Sequence, residues 1–182
     1  MQELALHLLD IGENAIRAHA GLLTIDITES GADDALYITI EDNGTGMTQT
    51  QAEQALDPFY TTRGSARVGL GLALLDQAAR RAGGSLQLRS SPAAGTRVTA
   101  CFVHSHIDRQ PLGDVAGALI ALLLNGPGLD IVYQHRVDAH TYVLDTRSMR
   151  RHLGDVPLTT PAVLSWLRDH ISQGISDVGS SA

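Results

Sequence analysis

Lysine is absent from this 182-residue chain, and all thirteen of its basic residues are arginine. That excludes a P-loop, whose Gly-rich turn needs a Lys to reach the β- and γ-phosphates. Any cationic phosphate contact must come from a guanidinium. Cysteine is limited to Cys101, which rules out an intramolecular disulfide or a CxxC metal site and fits a reducing compartment. Aromatic residues are few, at 4%, and the net charge is −7. A nucleic-acid partner is therefore not expected, because stacking platforms and a basic face are both missing. Long apolar runs are lacking too: the longest, Val115 to Leu124, is about half of what spans a bilayer. The N-terminus has Glu3 and no basic leader region. No membrane association and a cytoplasmic location are the expectations.

What is present is ordinary globular material, 43% hydrophobic and 18% charged, enough for one good core and a small satellite unit. From Leu4 to Ala18, Leu4, Leu8, Ile11, Ala15 and Ala18 recur at steps of four and three, which predicts a helix. Glu3, His7, Asp10, Asn14 and Arg17 repeat the same steps and form a polar stripe along it. A mostly apolar helix with one narrow polar strip lines something. Two alternating runs, 23–27 and 36–40, predict a β-hairpin, and the second strand delivers Asp42 into the turn Asp42-Asn43-Gly44-Thr45-Gly46. A short helix is expected over 48–56. Residues 58–68 show neither period and read as a mobile lid. A helix over 70–82 stops at Gly83-Gly84, and strands follow around 86–88 and 98–102.

Each strand is apolar on one face and polar on the other, so helices should cover one side only. The fold class is α+β, a two-layer α/β sandwich with a mixed sheet, over residues 1–103. Residues 104–110 read as a connector, with His104 and His106 as exposed linker positions. A helix over 112–124, a hairpin over 130–145 and a final helix over 160–171 make 111–176 a small C-terminal α/β appendage. Residues 177–182 are expected to fray.

The chemistry of the first hundred residues has a direction. A carboxylate at the rim of an apolar pocket accepts from adenine, an amide oxygen is a hard ligand for Mg²⁺, and Gly-rich helix starts leave backbone amides free for phosphates. The runs Leu9-Asp-Ile-Gly-Glu-Asn-Ala-Ile-Arg-Ala18, Asp42-Asn-Gly-Thr-Gly46, Pro58-Phe-Tyr-Thr-Thr-Arg63, Gly69-Leu-Gly-Leu72 and Gly95-Thr96 occur in order. In that order and spacing they resemble the ATPase superfamily shared by DNA gyrase, heat-shock chaperone ATPases, histidine kinases and mismatch-repair ATPases. Local sequence is most similar to histidine kinase catalytic domains, particularly through 58–63.

The resemblance implies ATP and Mg²⁺ as cofactors and assigns roles. Asn14 matches the side chain that gives its oxygen to Mg²⁺, and Asp42 matches the acceptor for the adenine amino group. Gly44 and Gly46 let backbone approach the ring, Gly69 and Gly71 open a helix at the phosphates, and Thr96 matches the hydroxyl that supports the aspartate. Met47, Phe59, Thr62, Leu70 and Leu72 complete the nucleotide-contacting set. Arg17 and Arg63 are the cationic contacts, Arg63 from the lid, while Arg17 alternatively pairs with Glu13. Asp10 stands where hydrolytic members carry a Glu base and histidine kinases often carry Asn, so both roles stay open. With the ATP domain starting at residue 1, a stand-alone module is expected. It phosphorylates an unidentified protein partner or hydrolyses ATP slowly, or else serves as a non-catalytic ATP-dependent switch. A homodimer stays open.

Overall fold

The first helix, α1, runs Leu4–Arg17 and buries Leu4, Leu8, Ile11 and Ala15, the stripe that the spacing picked out. Burying Leu4 or Leu8 contributes about 1.5–3 kcal/mol over leaving it exposed. The computed structural model describes residues 3–56 and 70–181. After α1 come β1 (Leu22–Ser30), β2 (Ala35–Asp42), α2 (Gln49–Ala55), α3 (Leu70–Arg81), β3 (Ser85–Ser91) and β4 (Gly95–Val103). A capping box between Thr48 and Gln51 starts α2. The α+β architecture with its helices over one face of the sheet follows from the strand pattern. Leu23, Ile25 and Ile27 of β1, Leu36, Ile38 and Ile40 of β2, and Val98, Ala100 and Phe102 of β4 are all buried. Their alternating neighbours Thr24, Asp26, Thr39 and Thr99 lie on the other face.

Beyond residue 104 the chain goes on with α4 (Val115–Asn125), β5 (Asp130–Val137), β6 (His140–Asp145), α5 (Thr146–Leu153) and α6 (Pro161–Asp177). These elements continue the first sheet across the connector. Among the described residues the strand order is β3-β4-β2-β1-β5-β6. β5 lies parallel to β1, with Leu22 opposite Asp130 and Glu29 opposite Val137, while the other pairs are antiparallel. A parallel neighbour needs a crossover, and 104–129 supplies it, carrying α4 onto α1. Ile131 and Tyr133 of β5 and Leu119 and Leu122 of α4 join the same core as Leu4 and Ile25. The appended elements therefore share one core with the first hundred residues.

Three features differ from the sequence reading. Helix α5 was not expected. It is short and polar, and Asp145 starts it by accepting from the Arg147 N–H at 2.9 Å. Helix α6 runs to Asp177, six residues past the expected end, because Gly174 packs beneath the Tyr142 ring and Val178 is buried. Residues 177–181, expected to fray, are held in place: Ser180 Oγ donates to Glu29 Oε1 at 2.6 Å, and the Ser181 N–H reaches Oε2 at 3.3 Å. No helix among the described residues is long and apolar enough to cross a membrane.

Candidate functional site

Helix α1 ends where the turn after β2 begins. The Thr45 N–H donates to the Ala18 carbonyl at 2.9 Å, and Asn43 Oδ1 accepts from the Gly21 and Leu22 amides, both at 2.9 Å. Asn43 thus bolts the Asp42 turn to the start of β1, a role that nothing in the sequence marked. Gly44 is required sterically, since a Cβ there would lie 2.7 Å from the Ala18 carbonyl and 2.9 Å from Asp42 Oδ1. Gly46 sits at φ +67° with the Ser91 carbonyl 2.0 Å from where a Cβ would be. The β3–β4 turn closes the other side: the Ala93 N–H donates to the Thr45 carbonyl at 2.8 Å, and the Met47 N–H donates to Ser90 Oγ at 2.8 Å.

These contacts frame a cavity of about 320 Å³, lined by Asn14 and Arg17 of α1, Asp42, Gly46 and Met47 of the turn, and Leu72 of α3, with Thr96 beside them. Its lining is mostly apolar with a few polar groups, and its volume falls at the lower end of the roughly 300–1,000 Å³ of small-molecule sites. Asp42 Oδ1 accepts from the Gly44 N–H at 2.8 Å, and the Thr96 backbone N–H also bonds the carboxylate. Burial nevertheless holds its pKa above the ordinary carboxylate value, and the two amides only partly offset that. The sequence reading gave support of Asp42 to the Thr96 hydroxyl. In the structure the backbone does this, and the hydroxyl lies 2.9 Å from Ser90 Oγ. Ser90 also donates to the Gly95 carbonyl at 2.8 Å. Its part was invisible in sequence because it depends on the β3–β4 register, which sets Ser90 opposite Thr96.

Asn14 Oδ1 accepts a short hydrogen bond from Arg17 Nη2, whose guanidinium also lies 3.7 Å from Glu13. The alternative pairing of Arg17 with Glu13 is thus present, and the bond to Asn14 was not expected. Asp10 lies one turn earlier, against Gly71: a Cβ on Gly71 would meet the Asp10 Cβ at 3.1 Å. That glycine lets α3 approach the polar stripe of α1. Burial, reinforced by the Glu13 charge and opposed by Arg17, raises the Asp10 pKa. His7, a turn further back, is buried, and burial lowers its pKa even though Nε2 lies 3.2 Å from Gln110 Oε1. Leu70 is half-exposed at the start of the described part of α3. Phe59, Thr62, Arg63 and Gly69, together with the whole of the expected lid, lie outside the described residues.

A second polar cluster lies at the opposite end of β1, and the sequence reading missed it. Glu29, buried, accepts from His135 Nε2 at 2.7 Å and from Ser180 Oγ, and lies 3.1 Å from His104 Nε2. Tyr133 Oη lies 2.8 Å from His135 Nδ1. Burial pushes the Glu29 carboxyl up, but the hydrogen bonds from His135, Ser180, His104 and the Ser181 amide outweigh it and bring the pKa to about 2. His104 is therefore half-buried and engaged, not an exposed linker residue.

Residues 2–106 match the family of histidine kinase-, DNA gyrase B-, and HSP90-like ATPases, and the chain belongs to that family. Similar curated proteins include the sensor histidine kinase ZraS of Escherichia coli O157:H7, 34% identical over 108 residues, covering 58% of this chain and 23% of that one. The signal transduction histidine-protein kinase AtoS of Escherichia coli K12 is 37% identical over 93 residues, 50% of this chain and 15% of its own length. The chain thus spans less than a quarter of these relatives. Among solved structures, the N-terminal domain of a DNA repair protein superposes with a TM-score of 0.55 at 13% identity, covering all of this chain and 58% of that one. This last likeness bears on the fold.

Proposed function

We propose that the cavity between α1, the Asp42 turn and α3 binds ATP with Mg²⁺. The chain would then act as a histidine kinase-like module that transfers the γ-phosphoryl group to a partner protein or, slowly, to water. The observation that carries this reading is the convergence of Asn14, Asp42 and Leu72, from three separate stretches of sequence, on one cavity. Asp42 accepts the adenine amino group through the lone pairs that Gly44 and Thr96 leave free, and Gly46 and Met47 form the wall against the ring. Asn14 offers a hard oxygen that fits Mg²⁺, with water and phosphate oxygens filling the other positions. That ion would supply neutralisation of the phosphate charge. Arg17 shifts from Asn14 to the phosphates, where a guanidinium binds oxygens in pairs.

Asp10, its basicity raised by burial, takes the proton of the attacking group. The bond from the γ-phosphorus to the bridging oxygen breaks as the bond to that group forms, and ADP leaves. From the family resemblance, Arg63 joins at the γ-phosphate, with Phe59, Thr62, Gly69 and Leu70 completing the enclosure. The place of action is the cytoplasm. The test is transfer of labelled γ-phosphate in the presence of Mg²⁺. Label on a co-purified protein identifies the kinase, and free phosphate identifies the ATPase. Asp10→Asn should lower either rate by about 10²–10⁴-fold with ATP affinity kept, and unchanged turnover removes Asp10 from this role. Binding with neither outcome points to a nucleotide-operated switch, and no binding at all ends the proposal.

A further inference from the structure

The two rims of the sheet are finished differently. On the β3 rim, Arg89 stands directly opposite Arg97 of β4, and such a charge on an edge strand discourages a further strand from adding. The β6 rim has no such guard. Between His140 and Asp145 there is no Lys, Arg or Pro, and among the described residues no strand pairs its outer side. Val143 is 53% exposed there, on the open face of the sheet. The sole tryptophan, Trp166 of α6, is 52% exposed. It stacks on His170 at 4.6 Å, and His170 meets the Tyr142 ring edge-on at 5.6 Å. One aromatic series therefore leads from the unguarded strand to the outer side of the flanking helix. Half-exposed Trp is the side chain most enriched where proteins bind one another.

We infer that β6 is a dimer interface, at which a second copy of this chain pairs antiparallel about Val143 and extends the sheet across a two-fold axis. The strand is self-complementary in that register. A two-fold axis normal to the sheet pairs residues that share a face. Centring it on Val143 sets Tyr142 opposite Leu144 of the second copy on the core face. On the open face it sets Val143 against its own mate and Thr141 against Asp145. Centring on Tyr142 would instead oppose Leu144 with His140, an apolar side chain with a polar one. The net charge of −7 opposes association of two copies. Asp145 is the only carboxylate in β6 and is already paired with Arg147 at 2.8 Å, so the seam itself is close to neutral. The same two-fold axis brings the Trp166 and His170 faces of the two α6 helices together over the extended sheet.

This inference does not depend on nucleotide binding. The test is sedimentation equilibrium of the full chain, read together with the emission of its single tryptophan. The wild type should sediment at twice the chain mass in the micromolar range, with Trp166 emission moving to the red on dilution. Val143→Lys, which places a charge on the edge without touching the core, should stay folded by circular dichroism and dimerise at least about tenfold more weakly. Trp166→Ala, on the helix, should weaken the dimer in the same direction. A monomeric wild type overturns the proposal, and so does a dimer that neither substitution weakens. A different protein recovered on this edge with a monomeric wild type overturns it as well.

Discussion

Replacing Asp42 by Asn separates binding from folding, because the two respond with opposite sign. The Asp42 carboxylate is half-buried, and its pKa is raised by that burial. Raised in the folded state, the group lowers the stability of the nucleotide-free chain as pH climbs from its unfolded value through its folded one. Asparagine has no charge to desolvate and can still accept from the Gly44 N–H, so Asp42→Asn should unfold no earlier than wild type at neutral pH. ATP binding should move the other way. The substitution removes a charge-assisted acceptor and can turn an NH₂ donor toward the adenine amino group. A hydrogen bond to a charged group is worth about 1.5–3 kcal/mol, which corresponds to a Kd roughly 10- to 150-fold weaker. Isothermal titration calorimetry gives the affinity and a thermal melt without nucleotide gives the stability. Wild-type affinity in a folded Asp42→Asn protein would refute the adenine assignment. A loss of affinity matched by an early melt would show that Asp42 serves the fold instead.

Gly46→Ala should destabilise the whole chain. At φ +67° a Cβ costs about 1–2 kcal/mol, and the Ser91 carbonyl 2.0 Å away adds a backbone clash. Urea denaturation should show an earlier midpoint with an unchanged slope, and an unaltered midpoint would contradict the turn geometry. Glu29→Ala leaves His135 buried without its acceptor and frees the C-terminal residues, at about 3–5 kcal/mol by analogy with broken buried pairs, read by the same titration. Because the Glu29 pKa falls from 4.5 to about 2 on folding, its contribution is complete above pH 4.5 and fades as pH drops toward 2. Acid titration of Glu29→Ala should therefore be flatter than wild type across that window, and parallel curves would count against the cluster.

How much of this was legible beforehand depends on the range over which each feature is fixed. Helix α1 and its polar stripe could be read because a 3.6-residue period is local, and the strands because alternation is local too. The grouping of Asn14, Asp42 and Leu72 was legible only through resemblance, since nothing in the spacing of residues 14, 42 and 72 requires them to meet. The pairing of β5 with β1 was not legible. A parallel partner is chosen by which sheet edge remains free and by how α4 packs on α1, and both are decided across more than a hundred residues. The Glu29 cluster follows from that pairing: β5 beside β1 puts His135 next to Glu29, α6 brings Ser180 to them, and no segment alone carries the pattern. Sequence by itself thus determined the elements apart from α5, their buried faces and the family. Only the tertiary structure decided that the C-terminal third completes the same sheet, because strand adjacency is settled by competition among edges and not by the residues of any one strand.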